Sequence, residues 1–332
     1  MPHGFFMNAL YHLMVVFILV SVVGITHAET ISYTDKLGRA VNVPVPVRRA
    51  VFFQTYELIP VLGVWNKVVG IGRYAYANDL MKASKPDIAK TVPSAGSGID
   101  VNMEALLTLK PDIVITWTSR PEQVRFIEEK GLRVIAIYPD SLSELYGVME
   151  FHGKIFKKEK EIKRAISAMD GMFGIITKRV SKIPTARKQK VLWISSRPNS
   201  VACRIGVTND IINMIGGINP ASSIGQRNAD VSLEKIIKWN PDVIFIWGNA
   251  KYSAQDILNN PQWRYINAVK KRRVYKAPEW STWSPRLAPI ALWMAMKTYP
   301  QEFRDINFDA TADVFYRKVF GIPYRMVARI EN

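Results

Sequence analysis

Apolar and polar residues follow one pattern that occurs twice along the chain. Residues 101–117 align without a gap on residues 231–247, so the two copies start 130 positions apart. Each copy has apolar residues at helical spacing, then Pro-Asp, and then an apolar run that ends in Trp117 or Trp247. This order is typical of a helix, a turn and a buried strand, which together form half of a β-α-β unit. The repeat therefore predicts two similar α/β lobes with a ligand cleft between them.

Similar elements are predicted around each copy. The predicted strands cover 31–47 as a hairpin, 50–53, 68–71 and 190–194. Gly63 is expected to end a short helix and Gly216 a helix that begins at Thr208, because glycine readily adopts the left-handed conformation found at helix C-termini. The loops 96–100 and 225–230 lead into the two repeated helices, whose free backbone N–H groups are expected to be available to an anion.

A long helical segment connects the two lobes. Ser141 and Glu144 form a capping-box pattern that predicts its start, and Pro184 predicts its end. Apolar residues recur at helical spacing from Ile155 to Ile183, so one face is buried. The pattern predicts one stiff helix. The predicted boundaries are 29–140 for the N-terminal lobe, 141–184 for the connecting region and 185–332 for the C-terminal lobe.

The first 28 residues have the pattern of a secretory signal. An apolar stretch from Leu10 to Ile25 precedes small residues ending at Ala28, so we expect cleavage there and a periplasmic protein that begins at Glu29. The segment contains no Lys or Arg, which leaves an uncleaved membrane anchor as the alternative. Cys203 is the only cysteine, so the sequence predicts neither an intramolecular disulfide nor a lipid anchor at the cleavage point.

The net charge of +17 favours an anionic ligand or an anionic surface. The basic residues are scattered along an exported chain, so nucleic acid is not expected as a partner. Only His152 lies outside the signal segment, which argues against a bare zinc or manganese site built from several imidazoles. No nucleophile and base pair and no phosphate-binding Gly-Lys loop is apparent, so we expect a binding protein and not an enzyme. Hydrolysis by a carboxylate pair and a sensor or docking module are the alternatives.

These features resemble the class III substrate-binding proteins of ABC importers, over nearly all of residues 30–322. The resemblance implies two Rossmann-like lobes joined by a long rigid helix, with the ligand cleft between the lobes. It also implies that one acidic residue of each lobe docks on an inner-membrane permease dimer, and the repeat places Glu104 and Glu234 at those positions. Two carboxylates at equivalent points of two lobes suit a two-fold symmetric partner. A monomer without a cofactor or a metal is expected.

The resemblance further implies that the ligand contacts loops at the strand ends. These loops hold aromatic and arginine side chains, namely Tyr56, Arg73, Tyr74, Tyr76, Trp117, Arg120, Arg197, Arg227, Trp280, Trp283 and Arg286. Rings and guanidinium groups together suit a bulky anionic metal chelate. Trp117 and the segment from Trp280 to Arg286 match pocket positions of the cobalamin-binding relative, but the loop 93–98 lacks the aromatic residue of the cobalamin and haem binders. A ferric siderophore is therefore expected first, and molybdate or tungstate next, ahead of cobalamin or haem.

Overall fold

The computed structural model describes residues 29–327, so the signal segment predicted at 1–28 lies outside the described residues. Two separate sheets with parallel central strands, and the helices packed around them, form the α/β architecture that the repeat predicts. Within this described part of the chain, no helix is both long and apolar enough to cross a membrane.

The N-terminal half contains a parallel sheet and two hairpins. Its strands are β1 (Glu29–Thr34), β2 (Ala40–Val45), β3 (Ala50–Phe52), β4 (Val68–Ile71), β5 (Gly96–Ser97), β6 (Asp100–Val101), β7 (Ile113–Trp117) and β8 (Val134–Ile137). The sheet has the order β4-β3-β7-β8, and all of its strand pairs are parallel. β1 and β2 form the predicted N-terminal hairpin, and β5 and β6 form a second, shorter one.

The C-terminal half repeats three of the parallel strands and differs at one edge of the sheet, where one strand is antiparallel and another is additional. Its strands are β9 (Val191–Ile194), β10 (Ser200–Ala202), β11 (Asn228–Asp230), β12 (Val243–Ile246) and β13 (Val274–Lys276). The sheet order is β11-β10-β9-β12-β13, in which β9, β12 and β13 are parallel and take the places of β3, β7 and β8. The antiparallel strand β10 occupies the place that β4 has in the first sheet.

Helices cover both sheets and connect the two halves. They are α1 (Leu58–Leu62), α2 (Asp79–Ser84), α3 (Ile88–Thr91), α4 (Met103–Thr108), α5 (Pro121–Glu129), α6 (Leu142–Phe156), α7 (Glu159–Val180), α8 (Val207–Met214), α9 (Leu233–Trp239), α10 (Ala254–Leu258), α11 (Asn267–Lys270), α12 (Leu287–Thr298) and α13 (Phe308–Phe320). Gly63 ends α1 with a φ of 65°, and Gly216 follows α8 with a φ of 75°. Both predicted glycine stops are confirmed.

The connection between the lobes differs from the predicted single helix. α6 ends at Phe156, Lys157 has a φ of 56°, and α7 begins at Glu159. A left-handed residue ends a helix because the chain turns away from the helical path. Gly153 allows α7 to approach α6 closely, since a Cβ at this position would lie 3.1 Å from Ile162 Cγ1. The connecting region is therefore two packed helices.

One apolar core is shared by the two halves of the chain. Ile115 of β7 and Phe245 of β12 both point into it, together with buried side chains of α7, α12 and α13, three helices that pack against one another. The neighbouring residues Val114 and Ile244 point to the opposite faces, where each sheet has a smaller core of its own. This alternation is the two-residue period of a strand that is buried on both faces.

The Pro-Asp turn of each repeat attaches the repeated helix and strand to the neighbouring strand. Asp112 Oδ2 accepts a hydrogen bond from the Arg49 backbone N–H at 2.8 Å, and Asp242 Oδ2 accepts one from the Lys190 N–H at 2.9 Å. The side chains of Arg49 and Lys190 also donate to carbonyl groups at the C-terminal ends of α4 and α9. Basic groups stabilise a helix at this end. Both repeated helices are therefore held in the same way against their sheets.

Candidate functional site

Aromatic side chains line the carboxyl edge of the N-terminal sheet. Trp117 is the last residue of β7, and Tyr138 directly follows β8. Trp283, which precedes α12, packs edge-on against both, with ring centroids 6.5 Å from Trp117 and 4.7 Å from Tyr138. Each of the three rings is partly exposed. Because α/β proteins bind ligands at the carboxyl ends of parallel strands, these rings form the wall of a candidate site.

Arg227 of the C-terminal half extends this aromatic row. Its guanidinium carbon lies 4.2 Å from the ring centroid of Tyr138. Its Nε and Nη2 groups donate to the two carboxylate oxygens of Asp140 at 2.5 and 2.8 Å. Arg227 holds the pKa of Asp140 below its usual range, with a further contribution from Lys36, although partial burial opposes the shift. Burial raises the pKa of Tyr138, and Arg227 limits the rise.

A cavity of about 530 Å³ opens beside this ion pair. Its walls come from both halves of the chain and consist of Tyr138, Asp140, Ile205, Gln226, Arg227 and Asn228. The cavity is open to solvent, and its volume is sufficient for a small molecule. Sequence reasoning missed Tyr138 and Asp140. The signal was present, because the apolar strand 134–137 is followed by Tyr-Pro-Asp, and the rule that selected Trp117 at the end of β7 applies equally to the end of β8.

Arg73 and Arg197 were both expected to bind the ligand, and both form ion pairs, with Asp100 and Asp230 respectively. The two aspartates are 130 positions apart, so they occupy equivalent places before the repeated helices. The arginines do not, since Arg73 follows β4 whereas Arg197 lies between β9 and β10. Each half thus has an Arg-Asp pair beside its repeated helix, and neither arginine lines the cavity next to Tyr138.

Arg286 and Trp280, which are expected from the sequence to contact the ligand, are buried. Arg286 is 0% exposed, and its guanidinium donates to Glu57 at 3.1 Å and to Asp79 at 2.7 and 2.8 Å. The Trp280 ring lies 4.3 Å from the guanidinium carbon, and its Nε1 donates to Asp79. Burial alone would lower the pKa of Arg286, but Tyr316, Glu57 and Asp79 raise it on balance. This network joins the C-terminal segment to the N-terminal lobe.

Four other residues of the expected ligand set lie apart from the cavity walls: Tyr56, Tyr74, Tyr76 and Arg120. Tyr74 is 58% exposed, and Arg120 is exposed just before α5. The Tyr76 hydroxyl donates to the Val92 carbonyl at 2.7 Å. Tyr56 is half-buried, and its burial raises its pKa. Their roles in ligand binding stay a prediction.

The repeated helices α4 and α9 present one glutamate each. Glu104 and Glu234 are both exposed at the second position of their helix. Asn102 and Ser232 cap these helices by accepting a hydrogen bond from a backbone N–H of the first turn. The caps occupy N–H groups that the sequence analysis assigned to an anion. Hydrogen bonds from its own backbone N–H and from Ser232 lower the pKa of Glu234, so this carboxylate is ionised at neutral pH.

The described residues contain no group of three or more His, Cys, Asp or Glu side chains that could hold a metal ion. His152 is fully buried, with Nδ1 at 2.7 Å from the Val148 carbonyl and Nε2 at 3.2 Å from Thr55 Oγ1. Burial lowers its pKa to about 4. Cys203 is also buried, which raises the pKa of its thiol. Neither side chain lines the cavity at Arg227.

Comparison with known proteins adds to this geometry. A family model described as periplasmic binding protein matches residues 51–279. The molybdate-binding protein MolA of Haemophilus influenzae is 26% identical over 88% of this chain and 91% of its own. The Fe(3+)-citrate-binding protein YfmC of Bacillus subtilis is 25% identical over 58% of this chain and 61% of its own. The structure of CeuE from Helicobacter pylori with Ni(II) bound has a TM-score of 0.79 at 25% identity, and covers 89% of this chain and 98% of its own.

Proposed function

Because this chain belongs to the periplasmic binding protein family, we propose that it captures a compact anion in the cavity between its lobes. It is the substrate-binding component of an ABC importer. Proteins of this kind deliver their ligand to a permease in the membrane, and we place this one in the periplasm. The specific proposal concerns the ligand and the surfaces that bind it.

The position of Arg227 carries the ligand proposal. Its guanidinium lies on the Tyr138 ring at the wall of a cavity of about 530 Å³. A guanidinium presents its N–H groups as a planar fork that matches two oxygens of a carboxylate or an oxyanion. Stacking on a ring limits the motion of the fork, so less entropy is lost when an anion binds. The net charge of +17 adds a long-range attraction for anions.

A tetrahedral oxyanion such as molybdate is the first candidate. The relative that matches 88% of this chain is a molybdate-binding protein. An iron chelate is the second candidate, because the row formed by Trp117, Trp283 and Tyr138 offers aromatic area that a small oxyanion does not need. The partial match to an Fe(3+)-citrate-binding protein supports this alternative. From the sequence alone, a ferric siderophore is expected first.

A titration series distinguishes the candidates. The purified protein would be titrated with molybdate, tungstate, sulfate, ferric citrate, a ferric siderophore, haem and cobalamin, with thermal melting and tryptophan fluorescence as the readouts. We expect molybdate or tungstate to raise the melting temperature. A chelate that binds at the aromatic row should also quench Trp117 and Trp283. Arg227→Ala should weaken binding about thirtyfold or more, as expected for a lost central anchor. Binding that is unchanged in this variant would overturn the proposed site.

The exposed glutamates of the repeated helices are the proposed docking points. Glu104 and Glu234 occupy equivalent positions. The hydrogen bonds accepted by Asp112 and Asp242 hold the two helices in the same way. Two equivalent carboxylates suit a permease with two-fold symmetry. We therefore expect Glu104→Arg with Glu234→Arg to abolish uptake while the ligand dissociation constant changes by less than about threefold, since a lost interfacial charge pair costs about 2 to 5 kcal/mol.

A matched control separates docking from net charge. Glu129 and Glu150 are exposed residues of α5 and α6. Reversing both to arginine changes the net charge by the same amount as the docking variant. We expect the control variant to support normal uptake. Equal uptake by the two double variants would refute the docking assignment and leave the ligand proposal standing.

A further inference from the structure

The segment between β8 and α6 is bonded to the C-terminal lobe. The Gly206 N–H donates to the Asp140 carbonyl at 2.9 Å, and the Leu142 N–H donates to Asp210 Oδ2 at 2.8 Å. The two bonds from Arg227 to the Asp140 carboxylate add to these backbone contacts. Asp140 therefore lies at the junction of the two lobes and at the wall of the cavity.

The Asp140 carboxylate has two cationic partners. Lys36, in the turn between β1 and β2, lies 2.9 Å from one carboxylate oxygen. The Nε and Nη2 groups of Arg227 donate hydrogen bonds to both oxygens. Asp140 would thus keep one partner if Arg227 were to leave. Lys36 also contacts Glu144 at 2.6 Å, so the lysine is itself fixed at this place.

Arg227 can exchange its partner at little cost. Its fork uses two of its five N–H groups on Asp140, and its side chain is 42% exposed. The Asp140 side chain is 18% exposed. When Arg227 leaves, Lys36 still pairs with the Asp140 carboxylate, so the exchange does not leave a partly buried charge without a partner and its cost stays low. A ligand with two suitably spaced oxygens can replace the carboxylate on the same fork.

We propose that Asp140 is an intramolecular competitor of the ligand: its carboxylate occupies the Arg227 fork in the empty cleft, and an incoming anion displaces it. This inference rests on the proposed anion-binding function. A ligand then binds only if its interaction with Arg227 is stronger than that of the Asp140 carboxylate. A ligand that offers two oxygens to the fork replaces both hydrogen bonds, whereas a ligand with a single acceptor replaces only one and is rejected.

The variant Asp140→Asn tests the competition, because an amide does not form the charge-assisted pair with Arg227. We expect molybdate, or ferric citrate if that is the anion that binds, to bind about three- to tenfold more tightly to the variant than to the wild type. Asp305→Asn is the matched control, since Asp305 forms an Arg-Asp pair with Arg179 and the charge change is the same. The control should leave the affinity unchanged. Equal or weaker binding by Asp140→Asn would overturn the inference.

A second measurement needs no ligand. Phenylglyoxal labels free guanidinium groups, and peptide mapping by mass spectrometry follows Arg227 alone. We expect labelling several-fold faster in Asp140→Asn than in the wild type, and an unchanged rate would overturn the inference. If the wild type binds the anion and Asp140→Asn binds it with no higher affinity, the competition is refuted and the proposed function stands. Protein that binds no probe anion in either form refutes the proposed function and the competition with it.

Discussion

Replacing Arg286 by alanine should destabilise the fold and leave the ligand site in place. The guanidinium is 0% exposed and donates four hydrogen bonds, of which three go to the carboxylates of Glu57 and Asp79 and one to the Tyr316 hydroxyl. Without it, Glu57, which is 1% exposed, keeps only neutral donors such as Ser284 Oγ. Removing one partner of a buried ion pair costs about 3 to 5 kcal/mol, because the remaining charge stays buried without compensation.

Urea denaturation followed by circular dichroism measures this loss as a shift of the unfolding midpoint. Arg197→Ala is the control, because the Arg197-Asp230 pair is 64% and 48% exposed and its loss should cost less than about 1 kcal/mol. Arg286→Ala should bind the ligand with nearly unchanged affinity at temperatures where it is folded. Wild-type stability combined with weakened ligand binding would refute the reasoning and return Arg286 to the ligand site.

Two further predictions concern stability. Burial lowers the pKa of His152 from 6.5 to about 4, so the unfolded chain takes up a proton first as the pH falls. Neutral His152 makes its full contribution to the free energy of unfolding above pH 6.5, and about 3 kcal/mol of that contribution is lost by pH 4. The free energy of unfolding of His152→Gln, measured by urea denaturation, should therefore fall less steeply with decreasing pH than that of the wild type, and equal slopes would contradict this prediction. Lys157→Gly should stabilise by about 0.5 to 1 kcal/mol, because the φ of 56° is strained for lysine. Lys163 is exposed and lies within a helix, so Lys163→Gly should lower the free energy of unfolding by about 1 kcal/mol. An equal loss of stability in Lys157→Gly would refute backbone strain at Lys157.

The repeat and its surrounding elements could be predicted because their signals are local. Pro111-Asp112 and Pro241-Asp242 lie between an apolar helix pattern and an apolar strand pattern, and the structure has α4-β7 and α9-β12 at these places. The helix break at Lys157 has no comparable signal. Its neighbours are good helix formers without proline, and the turn depends on the close contact of Gly153 with Ile162, which is a tertiary contact.

The candidate site also has residues that local sequence signals predict and residues whose contacts the sequence does not indicate. Trp117, Trp283 and Arg227 were predicted from their position at strand ends, and the structure connects them through Tyr138. The buried ion pairs of Arg286 could not be predicted, because its carboxylate partners lie more than 200 positions away in the sequence and no local pattern indicates a buried pair over that distance. Position alone therefore indicates the wall of the candidate site but does not separate arginines that line the cavity from arginines that form ion pairs within the protein.

The shared core determines where this chain could be divided for a split reporter. A cut near 184 would separate α7 from α12 and α13, which pack against it, and would divide the shared core to which Ile115 belongs. The C-terminal fragment would in turn expose the apolar faces of α12 and α13 that pack against α7, because α7 would be on the other fragment. Both fragments would present large apolar faces to water and would aggregate before they could pair. A sensor based on this protein should keep the chain intact and carry its dyes on the exposed rims of the cleft.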